Sequence, residues 1–291
     1  MKPPAVGYAR AGDVQEVVAM LVEHGTDAKV LAGGQSLVPM LSFRQIRPSF
    51  LVDINRVEAL DFVRDEGESL LLGATTRQRD VETSPVAAAA VPLLPELLGH
   101  VGHVTNRNRG TVGGSLAHAD PAAELPTLVT ALGGELLVEG PRGPRTVAAD
   151  DFFVAPHRTS MGFDEVLTAV RLPRLPAGTG VAIQQIARRH GDLAVVGVLA
   201  AVRLGPDGAI NLVRLAASGV GPVPVRLHAV EAALTGVVPT TEVLDAAAEA
   251  VSAAVRPPDD IHAPASYRRD MACLLLKRAV GAALRRSEVS A

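Results

Sequence analysis

Ala32-Gly33-Gly34-Gln35-Ser36-Leu37-Val38-Pro39-Met40 is the stretch on which the reading of this chain turns. Before it, Lys29 to Ala32 has the look of a short buried strand. After it, Leu37 to Leu41 is apolar and begins a helix. Pro39 is no obstacle, because a proline in the first turn sits where the N–H has no intrahelical partner. Strand, glycine turn and helix start therefore follow one another directly. Paired glycines let the main chain take left-handed angles and approach a ligand closely, so that successive N–H groups can converge on an anion. Ser36 adds a hydroxyl at the helix start, where it can cap the helix, face an anion, or do both.

Further along, Arg109-Gly110-Thr111-Val112-Gly113-Gly114-Ser115 reads as a second glycine turn. Behind it, Asp120-Pro121 reads as a helix N-cap with proline at the first position. Leu125, Leu128, Val129 and Leu132 then recur at helical spacing. Neither turn spells G-x-G-x-x-G, and the P-loop pattern is missing, which makes a nicotinamide-binding Rossmann domain a poor reading. Two glycine turns that each hold part of one diphosphate dinucleotide fit better, since no cluster of Lys or Arg is at hand to neutralise phosphate.

Outward from these turns, Asp13 and Glu16 read as a capping box for a helix carrying Val14, Val17, Val18, Leu21 and Val22, which Gly25 ends. Leu51 to Ile54 and Leu70 to Gly73 read as strands, and Thr83 to His100 as a helical stretch. Leu193 to Leu204 and Ala209 to Ala217 are strand-like runs joined by Gly205-Pro206-Asp207-Gly208, a hairpin signal. Helical stretches near 225–234, 241–255 and 266–286 close the chain. The Pro-rich segment near 173–178 is the best domain boundary, and no solenoid repeat is present.

The chain has 291 residues, 48% of them hydrophobic and 20% charged, ample for one or two cores. With 28 basic and 31 acidic residues the formal charge is −3, and no basic stripe suits a nucleic acid. Aromatic residues make up 3%, with no Trp, so base-stacking platforms lack material. The single cysteine, Cys273, cannot hold an iron-sulfur cluster and reads as a small core residue on a helical face. Any redox metal would belong to another chain. No signal peptide and no apolar run of membrane-spanning length is visible, so a soluble cytoplasmic protein without membrane insertion is expected.

Taken in order, the two glycine motifs with Asp120-Pro121, then Ile186-Ala187-Arg188-Arg189-His190-Gly191-Asp192-Leu193-Ala194 and Ser266-Tyr267-Arg268-Arg269, resemble the FAD-binding medium subunit of molybdenum hydroxylases. That group contains the carbon monoxide dehydrogenase medium subunit and the flavin domain of xanthine dehydrogenase, and the resemblance runs the whole length. It implies an α+β architecture with a two-subdomain FAD-binding fold of the vanillyl-alcohol oxidase and para-cresol methylhydroxylase (PCMH) type over 1–175, its subdomains about 1–55 and 56–175. An α/β C-terminal domain of the carbon monoxide dehydrogenase flavoprotein type would follow over 176–291.

Carried over by the resemblance, Ala32, Gly33, Gly34, Gln35, Ser36 and Leu37 would hold the FAD diphosphate, the main-chain N–H groups of Ala32 to Ser36 donating to it. Thr111, Val112, Gly113, Gly114 and Ser115 would close on it from the other subdomain, with Asp120 in the same set. Glu124 stands where the family has an acidic residue close to FAD, and Leu167 and Gln184 match positions that approach the cofactor. Asn106 stands where relatives carry an apolar residue, in what reads as a strand near the isoalloxazine. Leu193 replaces a commoner Phe and leaves an aliphatic lid. The resemblance implies an electron-transfer subunit that takes electrons from a small iron-sulfur subunit, served by a large molybdopterin subunit, and delivers them to an external acceptor, in a dimer of heterotrimers.

No side-chain acid or base is assigned, and no hydrolytic triad can be argued from spacing. A self-sufficient flavin reductase or oxidase, and a non-enzymatic nucleotide-binding assembly subunit, are the competing classes. His118 and Asp120 lie two apart, but with no visible third ligand the expectation is no metal, Asp120 serving as a helix cap. His100 and His103 flank a loop, and no catalytic proton-transfer role is expected of them. Arg188-Arg189-His190 reads either as a solvated turn or structural ion pair, or as a dock for a nucleotide phosphate or an acidic partner patch.

Overall fold

A computed structural model describes residues 2–289. The first lobe holds β1 (Gly7–Arg10), α1 (Val14–His24), β2 (Ala28–Leu31), α2 (Leu37–Ser42) and β3 (Phe50–Asp53). Its three strands run parallel in the order β1-β3-β2. At the start of α1, Asp13 accepts the Glu16 N–H at 2.8 Å. The Glu16 carboxylate reaches back one residue further than a capping box requires, to the Gly12 N–H at 2.7 Å. Gly25 ends the helix at φ 62. Val17 and Leu21 then bury against Val52, Ile54, Val57 and Leu60. Asp13→Ala is expected to cost about 1 kcal/mol, the usual worth of a cap, seen as a lower midpoint in urea; an unchanged midpoint would contradict the cap.

The second lobe contains β4 (Val63–Asp65), β5 (Ser69–Gly73), α3 (Gln78–Glu82), α4 (Pro85–Ala90), α5 (Leu93–His100), α6 (Val104–Arg107) and α7 (Val112–His118). It continues with α8 (Glu124–Leu132), β6 (Glu135–Gly140), β7 (Gly143–Ala148), α9 (Ala149–Phe152), β8 (Phe153–Ala155), β9 (Arg158–Thr159) and β10 (Val166–Pro173). Five strands form an antiparallel sheet in the order β4-β5-β10-β6-β7. The stretch expected as one helix from 83 to 100 is two, broken at Val91-Pro92, where a proline cannot continue the hydrogen-bond ladder.

The C-terminal part is an antiparallel sheet of β11 (Gly180–Ile186), β12 (Val196–Leu204), β13 (Ile210–Ser218) and β14 (Val225–Arg226). Three helices follow: α10 (His228–Leu234), α11 (Thr241–Ala254) and α12 (Ala265–Val289). The hairpin at Gly205–Gly208 forms as expected, Gly208 taking φ 76. One face of this sheet packs under α12 with Leu275, Leu276, Ala279 and Ala283. The other face shares a core with the second lobe: Val181, Ile183, Leu199, Ala201 and Ala216 join Leu125, Leu128 and Leu132 of the fully buried α8. Across 173–178 the chain crosses from one sheet to the next, and Leu175 on the way is buried in the shared core. Among the described residues, no helix is long and apolar enough to cross a membrane.

Candidate functional site

In the first lobe, β2 ends at Leu31 and the chain turns through Gly33 and Gly34 into α2. Gly34 is in the left-handed region at φ 74, and Gly33 is not. Gly33 is required for a different reason: a Cβ there would lie 2.3 Å from the Arg109 carbonyl oxygen and 2.9 Å from Gly110 Cα. The two glycine segments therefore touch, one from each lobe.

The N–H groups of Gly33, Gly34, Gln35, Ser36 and Leu37 donate to no acceptor among the described residues, and the loop is open to solvent. Successive N–H groups turned outward in this way form an anion-binding concavity. Ser36 stands at the α2 N-cap position but has helical angles there and makes no cap hydrogen bond, so the cap expectation fails and its hydroxyl is left for another acceptor. The whole loop fits a diphosphate: donors without acceptors, a spare hydroxyl and a backbone approach that a side chain would close.

The segment 109–115 differs from its expected form. It is not a glycine turn. Thr111 caps α7, its Oγ1 accepting the Gly114 N–H at 3.0 Å, and Gly113 and Gly114 lie inside the first helical turn. Val112 N–H donates to Thr76 O at 3.0 Å and Gly113 N–H to Ala74 O at 2.9 Å. These N–H groups are committed to the protein, so they cannot close on a diphosphate. Gly113 exists for packing, since a Cβ would lie 2.5 Å from Ala74 Cβ. Gly114 and Ser115 are the accessible pair of this segment, and a Cβ on Gly114 would stand 4.0 Å from Ala32 Cβ.

A network that no spacing in the sequence announces locks the two segments together. Asn55 Nδ2 donates to Ala32 O at 2.8 Å, while Asn55 Oδ1 accepts from Arg77 Nη2 at 2.7 Å. Arg77 Nη1 donates in turn to Arg109 O at 2.7 Å. Burial, together with the charge of Arg109, lowers the Arg77 pKa from its ordinary value. On the rim, Asn106 Nδ2 donates to Gln35 Oε1 at 3.2 Å. Asn106 lies in α6, not in a strand, and its Oδ1 also accepts the His103 N–H. Arg107 holds α6 to α3 through a two-pronged pair with Glu82, at 2.8 and 3.0 Å. Next to this rim, a Cβ on Gly191 would meet the His103 ring, which brings the 187–192 loop onto α6, while Leu193 remains exposed.

Asp120 does not cap α8. Its Oδ1 accepts the Ala122 N–H at 2.9 Å in a turn, and the helix starts later, with Ala123 at the N-cap position. Glu124, in the first turn of α8, is 5% exposed. Desolvation raises its pKa to about 7, against the lowering effect of a hydrogen bond with its own backbone and one with the Gln185 side chain; the charge of Asp120 adds to the rise.

Gln185 is the residue that β11 brings to Glu124. Alternation puts Gln185 on the face of Val181 and Ile183, in the core shared with the second lobe, and Gln184 on the opposite face with Ala182 and Ile186. Leu167 is sealed in the main core beside a register shift in β10 and shows no open face. The expectation that no third ligand accompanies His118 and Asp120 also fails, because His157 stands beside them.

The family described as the FAD binding domain in molybdopterin dehydrogenase matches residues 4–175, and the carbon monoxide dehydrogenase flavoprotein C-terminal domain matches 181–283. The chain is 38% identical to the carbon monoxide dehydrogenase medium chain of Hydrogenophaga pseudoflava, over 97% of this chain and 98% of that one. It is 37% identical to subunit alpha of the 6-hydroxypseudooxynicotine dehydrogenase complex of Paenarthrobacter nicotinovorans, over 99% and 97%. A solved structure of the Hydrogenophaga pseudoflava carbon monoxide dehydrogenase superposes with a TM-score of 0.96 at 40% identity, covering 98% of this chain and 99% of that one.

Proposed function

Since the chain belongs to the FAD-binding medium subunits of the molybdenum hydroxylases, and so is an FAD-binding oxidoreductase subunit, we propose that it passes electrons from an iron-sulfur partner to an external acceptor. The observation that carries the binding mode is the run of N–H groups from Gly33 to Leu37 without an acceptor, held against the other lobe by Asn55 and Arg77. In this reading residues 1–175, in lobes divided near 55, hold the cofactor, and 176–291 form the C-terminal domain.

Bound FAD supplies the exchange between single-electron donors and a two-electron acceptor. The chain's residues supply position. Ala32 to Leu37 bind the diphosphate from the first lobe, while Gly114 and Ser115 face it from the second. Thr111, Val112 and Gly113 shape the wall behind them, and Asp120 orders the turn that leads to Glu124. Glu124 and Gln185 form a buried protonatable contact, and Leu167 belongs to the core that backs this lobe. The holoenzyme's partners are a small iron-sulfur subunit and a large molybdopterin subunit, assembled in the cytoplasm as a dimer of heterotrimers.

Reassembly with such partners tests the function: substrate added to the complex should bleach the flavin, and the purified chain alone should oxidise nothing. Turnover of a small organic substrate by the chain alone, or flavin that stays oxidised in the complex, would contradict it. Ser36→Ala should weaken FAD binding by about 1.5–3 kcal/mol, the worth of one hydrogen bond to a charged group. Because Ser36 makes no cap bond, the melting temperature of the flavin-free chain should not move; a lowered melting temperature with full FAD affinity would reverse that assignment.

A further inference from the structure

His118 ends α7, and the next residue, Ala119, swings the chain into the left-handed region at φ 51. Asp120 follows immediately. His157 lies in the turn between β8 and β9 and is itself left-handed at φ 57. Its N–H donates to the Ala119 carbonyl at 2.9 Å, pinning that turn to the end of α7. Left-handed angles are sparsely populated by residues other than glycine, so two of them at one junction are a local strain that the surrounding packing must hold in place.

Together they bring the His118 and His157 rings to 4.6 Å between centroids. One ligand-capable atom from each of His118, Asp120 and His157 lies within 4.8 Å of the others. Among the described residues, no other group of three His, Cys, Asp or Glu side chains meets that condition.

We propose that His118, Asp120 and His157 form a binding site for a first-row divalent transition cation of the Zn2+ type. Two imidazole nitrogens and one carboxylate oxygen make a donor set suited to Zn2+, Co2+ or Ni2+. Mg2+ and Ca2+ instead take shells of oxygen. Three protein ligands leave a position for water.

His157 Nδ1 lies 3.3 Å from the His118 carbonyl oxygen. With Nδ1–H donating there, the lone pair is on Nε2, and a backbone carbonyl orients the ring as it does around metal-bound imidazoles. Asp120 keeps an oxygen to spare, because its turn uses Oδ1 alone. A cation here would clip the β8–β9 turn to the end of α7, across a separation of 39 residues. The site shares no residue with the anion-binding loop at 33–37.

The test uses the untagged full-length chain, stripped of metal with a chelator that leaves its FAD in place. ZnCl2 titrated calorimetrically should bind one ion per chain and raise the melting temperature. CoCl2 should give the visible d–d absorption of a low-coordinate Co2+ site. His157→Asn removes the imidazole and keeps a residue that tolerates left-handed angles, and His157 is exposed, so the variant should fold with the wild-type circular dichroism. Its Zn2+ affinity should fall by at least about 10–100-fold, the loss seen when even an outer-shell partner of a ligand is removed. The Co2+ absorption should be lost with it. Zn2+ binding of equal strength in wild type and His157→Asn, or no measurable binding by the wild type, would overturn the site.

Discussion

A Gly33→Val chain is expected to fold and to carry no FAD. The new side chain would begin 2.3 Å from the Arg109 carbonyl oxygen, and because the obstacle is backbone, no rotamer change can relieve it. The 33–37 loop must then swing away from 109–110 and its N–H groups lose their common focus. Losing even two charge-assisted bonds at about 1.5–3 kcal/mol each weakens binding by on the order of a hundredfold or more. Gly25→Ala is the matched control. It sits at φ 62 with nothing within 4 Å of its would-be Cβ, at the end of α1 rather than in the 33–37 loop. It should lose stability and keep its flavin. Flavin content equal to wild type in a folded Gly33→Val chain would contradict the role given to the loop.

Glu124→Gln should stabilise the chain at alkaline pH and leave it nearly unchanged at acid pH. In the folded chain desolvation holds the Glu124 pKa at about 7, above its ordinary 4.5. Below pH 4.5 the carboxyl is protonated whether the chain is folded or not, and no penalty arises. Between 4.5 and 7 the folded state keeps a proton that the unfolded state releases, so stability falls as pH rises. Above 7 the loss levels off at about 3 kcal/mol, since each tenfold difference in proton affinity between the folded and unfolded chain is worth about 1.4 kcal/mol. Glutamine, always neutral and still able to bond Gln185, escapes this loss. Urea unfolding of both chains at pH 4.5 and pH 8.5 should show a difference of about that size only at the higher pH. An equal offset at both values would mean that Glu124 ionises as freely inside the protein as outside.

What the sequence disclosed was local. Asp13 and Gly25 bound α1 because cap chemistry is written in neighbouring residues, and the 205–208 hairpin follows from its own turn. The 32–37 loop was legible for the same reason, lying between a strand and a helix start. Thr111-Val112-Gly113-Gly114 misled because two adjacent glycines suggest a turn, although Thr111 three residues ahead of Gly114 is also an N-cap signal. Strand β7, Gly-Pro-Arg-Thr-Val-Ala, has no apolar alternation and exists by pairing with β6, so only the sheet reveals it.

Site residues followed the same division. Asn55 and Arg77 act across the lobes, where neighbouring residues carry no trace of the contact. The place of Gln185 on the face of Val181 and Ile183 follows from counting alternate positions, but only once β11 is recognised as a strand. His157 joins His118 and Asp120 only after β8 and β9 fold back on α7.

The most direct measurement is a crystal structure of the FAD-loaded chain. Density for the diphosphate should lie within hydrogen-bonding distance of the N–H groups between Gly33 and Leu37, with Gly114 and Ser115 on its other side. A diphosphate seated elsewhere, with those N–H groups turned to bulk water, would contradict the binding mode on which the rest depends.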